Sequence, residues 1–137
     1  MYAAEGLAQE LVWQEFVDDK DAMEAEQIPV LIDQVLSDGG WFGGHRPEIA
    51  FDVPDDSEVK AFHEGRTGVL HFHPRLLDRW TVLHELAHWC RPRDGHGPQF
   101  RAVLVGLVRS AYPGSGLDVE LRQAFDDLGL DLDEGWS

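Results

Sequence analysis

The stretch Trp80-Thr81-Val82-Leu83-His84-Glu85-Leu86-Ala87-His88-Trp89-Cys90 constrains this chain most. It carries H-E-x-x-H on what reads as a helix. Residues i and i+4 of a helix stack on one face, so His84 and His88 present two imidazoles to one ion, with Glu85 beside them. That set supplies two zinc ligands and a general base for a metal-bound water. Pro92 lacks a backbone donor and restricts Arg91, so the helix should stop there. The turn Asp94-Gly95-His96-Gly97-Pro98 then brings in a third histidine, with glycine on both sides to let the chain fold back.

A chance H-E-x-x-H in a chain this short arises on the order of once in a few hundred sequences. Leu83, Leu86 and Ala87 interleave with the polar triplet, so one side of the helix can bury while the other faces a cleft. The plainer alternative is an amphipathic helix with surface histidines. The arrival of His96 at a workable distance favours the metal site.

The 137 residues, 43% of them apolar, suit one domain with a core of its own. No run of 18 apolar residues predicts a membrane span. Met1-Tyr2-Ala3-Ala4-Glu5 has neither the basic nor the apolar region of a secretory signal. Cys90 is the only cysteine, which excludes an internal disulfide and a four-cysteine zinc ribbon and suits a reducing cytoplasm. The net charge of −15 argues against a strong electrostatic grip on nucleic acid. Yet residues 66–109 hold seven arginines against Asp78, Glu85 and Asp94, a local +4 that leaves −19 elsewhere. Charge pairing across the fold is one reading of that contrast; a site that meets an anionic partner is the other.

Residues 1–22 are ambiguous between helix and strand. Ile28, Leu31, Ile32, Val35 and Leu36 recur at helical spacing, with a start near Gln27, Pro29 in the first turn and an end at Ser37-Asp38-Gly39-Gly40. Trp41 to Pro47 reads as a loop with two exposed aromatics. Glu48 to Val53 alternates as a strand and Pro54-Asp55-Asp56-Ser57 turns. Val59 to Arg66 reads as a polar connection, and Gly68 to His73 as a second strand ended by Pro74. Val69, His71 and His73 share one face of that strand and Leu70 and Phe72 the other. The two histidines read as its wetter face; a pair at i, i+2 on a strand can also bind metal or line a cleft.

Beyond His96, Gly97 should cap and Pro98 should open a helix. Its stripe is Phe100, Val103, Leu104, Leu107, Val108 and Ala111. Packing of this helix on the motif helix would hold His96 over the metal. Tyr112-Pro113-Gly114-Ser115-Gly116 ends it. A last helix, Asp118 to Leu128, turns Leu121, Ala124, Phe125 and Leu128 inward, with Asp118 at its positive end. Residues 131–137 form an acidic, loose tail. The order of elements predicts an α+β fold in a single domain, 1–137.

His84-Glu85-Leu86-Ala87-His88 followed by His96-Gly97-Pro98-Gln99-Phe100 resembles the SprT-like branch of the zincins. There a third zinc histidine, in an H-G-x-x-F/W context, opens the helix after the active one. The chain is similar still to small metallohydrolases of actinobacteria and their phages, in its length, its leading Tyr-Ala-Ala-Glu and its closing helix. The specific match covers residues 80–100. The resemblance implies a minimal zincin-like domain, a small β-sheet packed on the H-E-x-x-H helix with flanking helices. It implies Zn2+ held by His84, His88 and His96, with Glu85 as catalytic base. SprT-like proteins that act on DNA–protein crosslinks add a zinc ribbon or basic parts. Neither is present here, and the His88-to-His96 spacing is shorter.

The resulting expectation is a cytoplasmic zinc metallopeptidase acting on a protein or peptide, in host cytoplasm if phage-encoded, with no membrane and no direct nucleic-acid partner. Zinc would activate a water, and Glu85 would take its proton and pass it to the leaving amine. Tyr112, Arg101 and His71 are candidates to stabilise the oxyanion, and Asp94 could orient a ligand histidine. Two alternatives stay open. The zinc could be structural or the site inactive, in an interaction module. Or the acidic chain could imitate nucleic acid to block a basic protein.

Overall fold

The structure, a computed structural model, describes residues 22–38, 45–93 and 97–132. Helices form where the apolar periodicity puts them. Helix α1, Gln27–Asp38, starts at the expected residue. Pro29 sits in its first turn, where a missing N–H costs nothing. Ile28, Leu31, Ile32, Val35 and Leu36 are all buried. Helix α2, Arg79–Cys90, is the motif helix. Asp78 caps it: its carboxylate accepts from the Thr81 N–H and from the Thr81 hydroxyl, each at 2.8 Å. At the other end Arg91 leaves helical geometry while its N–H still reaches the Ala87 carbonyl at 3.0 Å. Pro92 enforces that stop.

Helix α3, Pro98–Ala111, opens with Gly97 as cap and Pro98 in its first turn. Its whole predicted stripe, from Phe100 to Ala111, is buried. Helix α4, Leu117–Asp127, begins at Gly116, whose φ of 80° needs a residue without a Cβ. Leu121 and Phe125 are buried as expected, Ala124 and Leu128 are half-buried, and Leu117 joins the core as well. Asp118 sits in the first turn and accepts from Arg109 Nε at 3.0 Å.

Three short strands complete the described fold: β1, Ile49–Ala50; β2, Ala61–His63; β3, Leu70–Phe72. Their order is β1-β3-β2. β1 runs parallel to β3, pairing Ile49 with Leu70. β2 runs antiparallel to β3, pairing Ala61 with Phe72, Phe62 with His71 and His63 with Leu70. The β2–β3 connection closes through Glu64 N–H to Val69 O at 2.9 Å and Gly68 N–H to Glu64 O at 2.8 Å. Gly68 has φ 79°, which explains a glycine there.

The sheet corrects three expectations. Only Ile49–Ala50 of the predicted strand 48–53 is regular. Val53 N–H still reaches Phe72 O at 3.3 Å, but Pro54 follows and the ladder cannot continue. The stretch 59–66, read as a connection, contains β2. His73, read as a wet-face residue, is 1% exposed. The chain turns at Pro74, and His73 Nδ1 accepts the N–H groups of Arg75 at 3.0 Å and Leu76 at 2.9 Å. Its Nε2 therefore carries the proton and donates to Asp55. His73 fastens the turn from β3 towards α2.

α2 packs between β2 and α3, and α3 also carries α1 and α4. Phe72, Leu83, Leu86, Phe100 and Leu104 fill the centre. The result is α+β: one helix holds the chemistry-bearing triplet between a small sheet and a helical layer. No helix among the described residues is long and apolar enough to cross a membrane.

Candidate metal centre

α2 is buried on most of its circumference, with Val82, Leu83, Leu86, Ala87 and Cys90 in the core. His84 and His88 occupy a half-buried strip on it. Their ring centroids lie 4.9 Å apart with planes at 73°. Two imidazoles sharing a tetrahedral ion have nitrogens about 2 Å from it, and ring centres about 5 Å from each other. The pair therefore fits one ion. Phe100, 0% exposed, backs both rings, at 5.2 Å from His84 and 4.5 Å from His88. The first turn of α3 thus packs a ring against both imidazoles.

Glu85 is 9% exposed. Burial pushes its pKa up to about 7, and a hydrogen bond from the His63 backbone N–H only partly offsets this. β2 lies at the edge of the sheet among the described residues. His63 pairs with Leu70, whose side is buried, so residues 61 and 63 face α2 and Phe62 faces away. The His63 ring lies nearly parallel to His88, at 9° and 6.4 Å between centroids. His63 belongs to no motif in the sequence. The available signal was the pair Gly65 and Gly68 between two short apolar runs, a hairpin pattern.

His96 and Asp94 lie outside the described residues, as do Trp41 and Phe42. Among the described residues no three histidine, cysteine, aspartate or glutamate side chains converge on one metal position. The structure thus brings together His84, His88 and Glu85, and adds His63.

The three oxyanion candidates sit elsewhere. His71 faces away from α2, stacked on Phe62 at 4.5 Å. Its Nδ1 meets Asp52 and its Nε2 meets Glu64, both at 2.8 Å. Arg101 is buried, and its guanidinium donates to the Asp131 carbonyl at 2.9 and 2.7 Å. It holds the start of the predicted acidic tail, whose residues 133–137 lie outside the described set. Tyr112 follows the far end of α3, on the order of 18 Å along the helix from Phe100, with the Arg79 guanidinium 4.9 Å over its ring. Trp89 is half-buried against the core. Cys90 is buried and its thiol pKa is pushed up to about 12, chiefly by burial, so it is no nucleophile.

Part of the central positive charge is paired within the fold. Arg75 bonds Asp55 at 3.1 Å and Arg109 bonds Asp118 at 3.0 Å. Comparison with protein-family models, curated proteins and solved structures finds no match.

Proposed function

We propose that this chain is a zinc-dependent metallohydrolase with a zincin-like arrangement, and that it hydrolyses peptide bonds. The carrying observation is the buried Glu85 carboxylate, one residue from a histidine pair whose rings are spaced for one ion. A structural zinc site has no use for a buried acid beside it. The resemblance to SprT-like zincins agrees with this reading.

Zinc held by His84, His88 and His96 would polarise the scissile carbonyl and make water more acidic. Glu85 takes the proton of the attacking water and returns it to the departing nitrogen. The His63 backbone N–H orients that carboxylate. Phe100 holds the two described ligand rings in register.

Glu85→Gln tests the reading. The variant should keep its zinc, measured by elemental analysis, and lose cleavage of a peptide library by 10³-fold or so. Cleavage at the wild-type rate by Glu85→Gln, or a wild type that takes up no zinc, ends the hydrolase reading.

A further inference from the structure

We propose that His63 is a substrate-contacting residue of this site, whose imidazole donates a hydrogen bond to the scissile carbonyl oxygen as that oxygen becomes negative. The inference rests on the hydrolase reading above. His63 is the last residue of β2, on the face turned to α2, and its N–H is bonded to Glu85. The backbone therefore fixes where this side chain stands relative to the base. The ring lies alongside His88.

The other sheet histidines are fully engaged. His71 spends both ring nitrogens on Asp52 and Glu64. His73 spends both on Asp55 and on two backbone amides. The His63 ring is half-buried, and among the described residues no hydrogen-bond partner engages its nitrogens. A neutral imidazole carries one N–H donor. A half-buried N–H donor there is stabilised when a bound acceptor meets it. Next to the base, that acceptor is a substrate.

The separation from His88 argues against a ligand role. At 6.4 Å and nearly parallel, the two rings do not match a pair on one tetrahedral ion, whereas His84 and His88 do. In the reaction, the water oxygen bonds to the carbonyl carbon and the π pair moves onto the carbonyl oxygen, where the His63 N–H meets it. The pair returns as the C–N bond breaks. The proton from water travels through Glu85 to the leaving nitrogen, and His63 gives up none.

The test uses the zinc-loaded full chain as wild type, His63→Ala, His63→Gln and Glu85→Gln. Fluorescein-labelled casein is the substrate probe, and phenylphosphonate, followed by calorimetry, is the tetrahedral-anion probe. His63→Ala should keep its zinc and its Tm. Its kcat should fall about 10²-fold with KM little changed. His63→Gln, which retains an N–H donor, should recover part of the loss. Phenylphosphonate should bind His63→Ala about tenfold more weakly than wild type, a readout that needs no turnover. Wild-type kcat in His63→Ala beside an inactive Glu85→Gln overturns the His63 assignment alone. Loss of zinc from His63→Ala overturns it in favour of a ligand role. Equal phenylphosphonate affinity in the two proteins, or binding by neither, overturns it too. An active Glu85→Gln overturns the hydrolase reading and this assignment together.

Discussion

The backbone N–H of His63 donates to the carboxylate of Glu85, tying the edge of the sheet to the motif helix. This bond links the two elements that would flank a substrate. It also compensates only part of what it costs to bury the acid, and the deficit is measurable.

In the metal-free protein the folded pKa of Glu85 is about 7, above its ordinary 4.5, because burial disfavours the charged form. The folded chain therefore holds a proton that the unfolded chain releases between those values. This group's contribution is greatest at low pH, falls as pH rises through 4.5 to 7, and is level above. The loss is on the order of 3 kcal/mol. Glu85→Gln cannot ionise, so its stability relative to wild type should rise from pH 5 to pH 8. Urea unfolding of both proteins in a chelator checks this. Parallel pH profiles would sink the idea of a buried, undercompensated base. Adding zinc should remove the difference, since a cation beside the carboxylate favours its charged form.

His71 gives the opposite group with the same sign. Burial works against its charged ring, but Asp52 and Glu64 outweigh that and raise its pKa. Both ring nitrogens face carboxylates at 2.8 Å, so only the imidazolium satisfies both. Its contribution is fully present below the ordinary histidine pKa and is lost as pH rises through the higher folded value. Asp52 is exposed and Glu64 partly so, which screens both pairs and keeps the effect modest. Wild type should melt about 2 °C above His71→Gln at pH 5. The gap should close by pH 9. A gap that persists or widens at pH 9 would count against the doubly bonded imidazolium.

The stripe from Phe100 to Ala111 was legible because a long helix buries one face repeatedly, and the pattern outlasts any single residue. The stop at Arg91 and the start at Pro98 were legible because proline chemistry is local. β2 was not, because Ala61-Phe62-His63 is too short to display a period. Its strand character comes from pairing with β3, which is a tertiary fact. His73 was misplaced for a related reason: alternation holds only while the strand lasts, and its burial follows from the turn at Pro74. The histidine pair and Glu85 were legible as a motif. The role of His63 depends on which strand lies beside α2, and no spacing in the sequence reports that.

Asp78 should matter to the motif helix out of proportion to its position. Its carboxylate accepts both the N–H and the hydroxyl of Thr81, satisfying one otherwise orphaned donor at the helix start. Asp78→Ala should cost about 1 kcal/mol, seen as a fall of about 3 °C in Tm. Asp78→Asn, which still caps, should lose less than half of that. Equal losses in the two variants would show that charge, and not capping, is what Asp78 contributes.

Phe100 is entirely buried and packs against both His84 and His88, the described histidines of the proposed site, so it should help to preorganise them. Phe100→Leu keeps an apolar side chain there and should cost on the order of 1 to 2 kcal/mol in stability. It removes the aromatic ring that both imidazoles contact. Zinc affinity should then fall about tenfold, in the range seen when groups that orient metal ligands are lost. His96→Ala should instead abolish stoichiometric zinc, because a tetrahedral site cannot lose one of three protein ligands cheaply. Competition against a chelating dye, read beside metal-free unfolding, separates the two effects. If His96→Ala binds zinc as wild type does, His96 is not the third ligand, and another group must complete the pair on α2. If Phe100→Leu loses stability but no affinity, the aromatic ring serves the core alone and His84 and His88 are oriented by α2 itself.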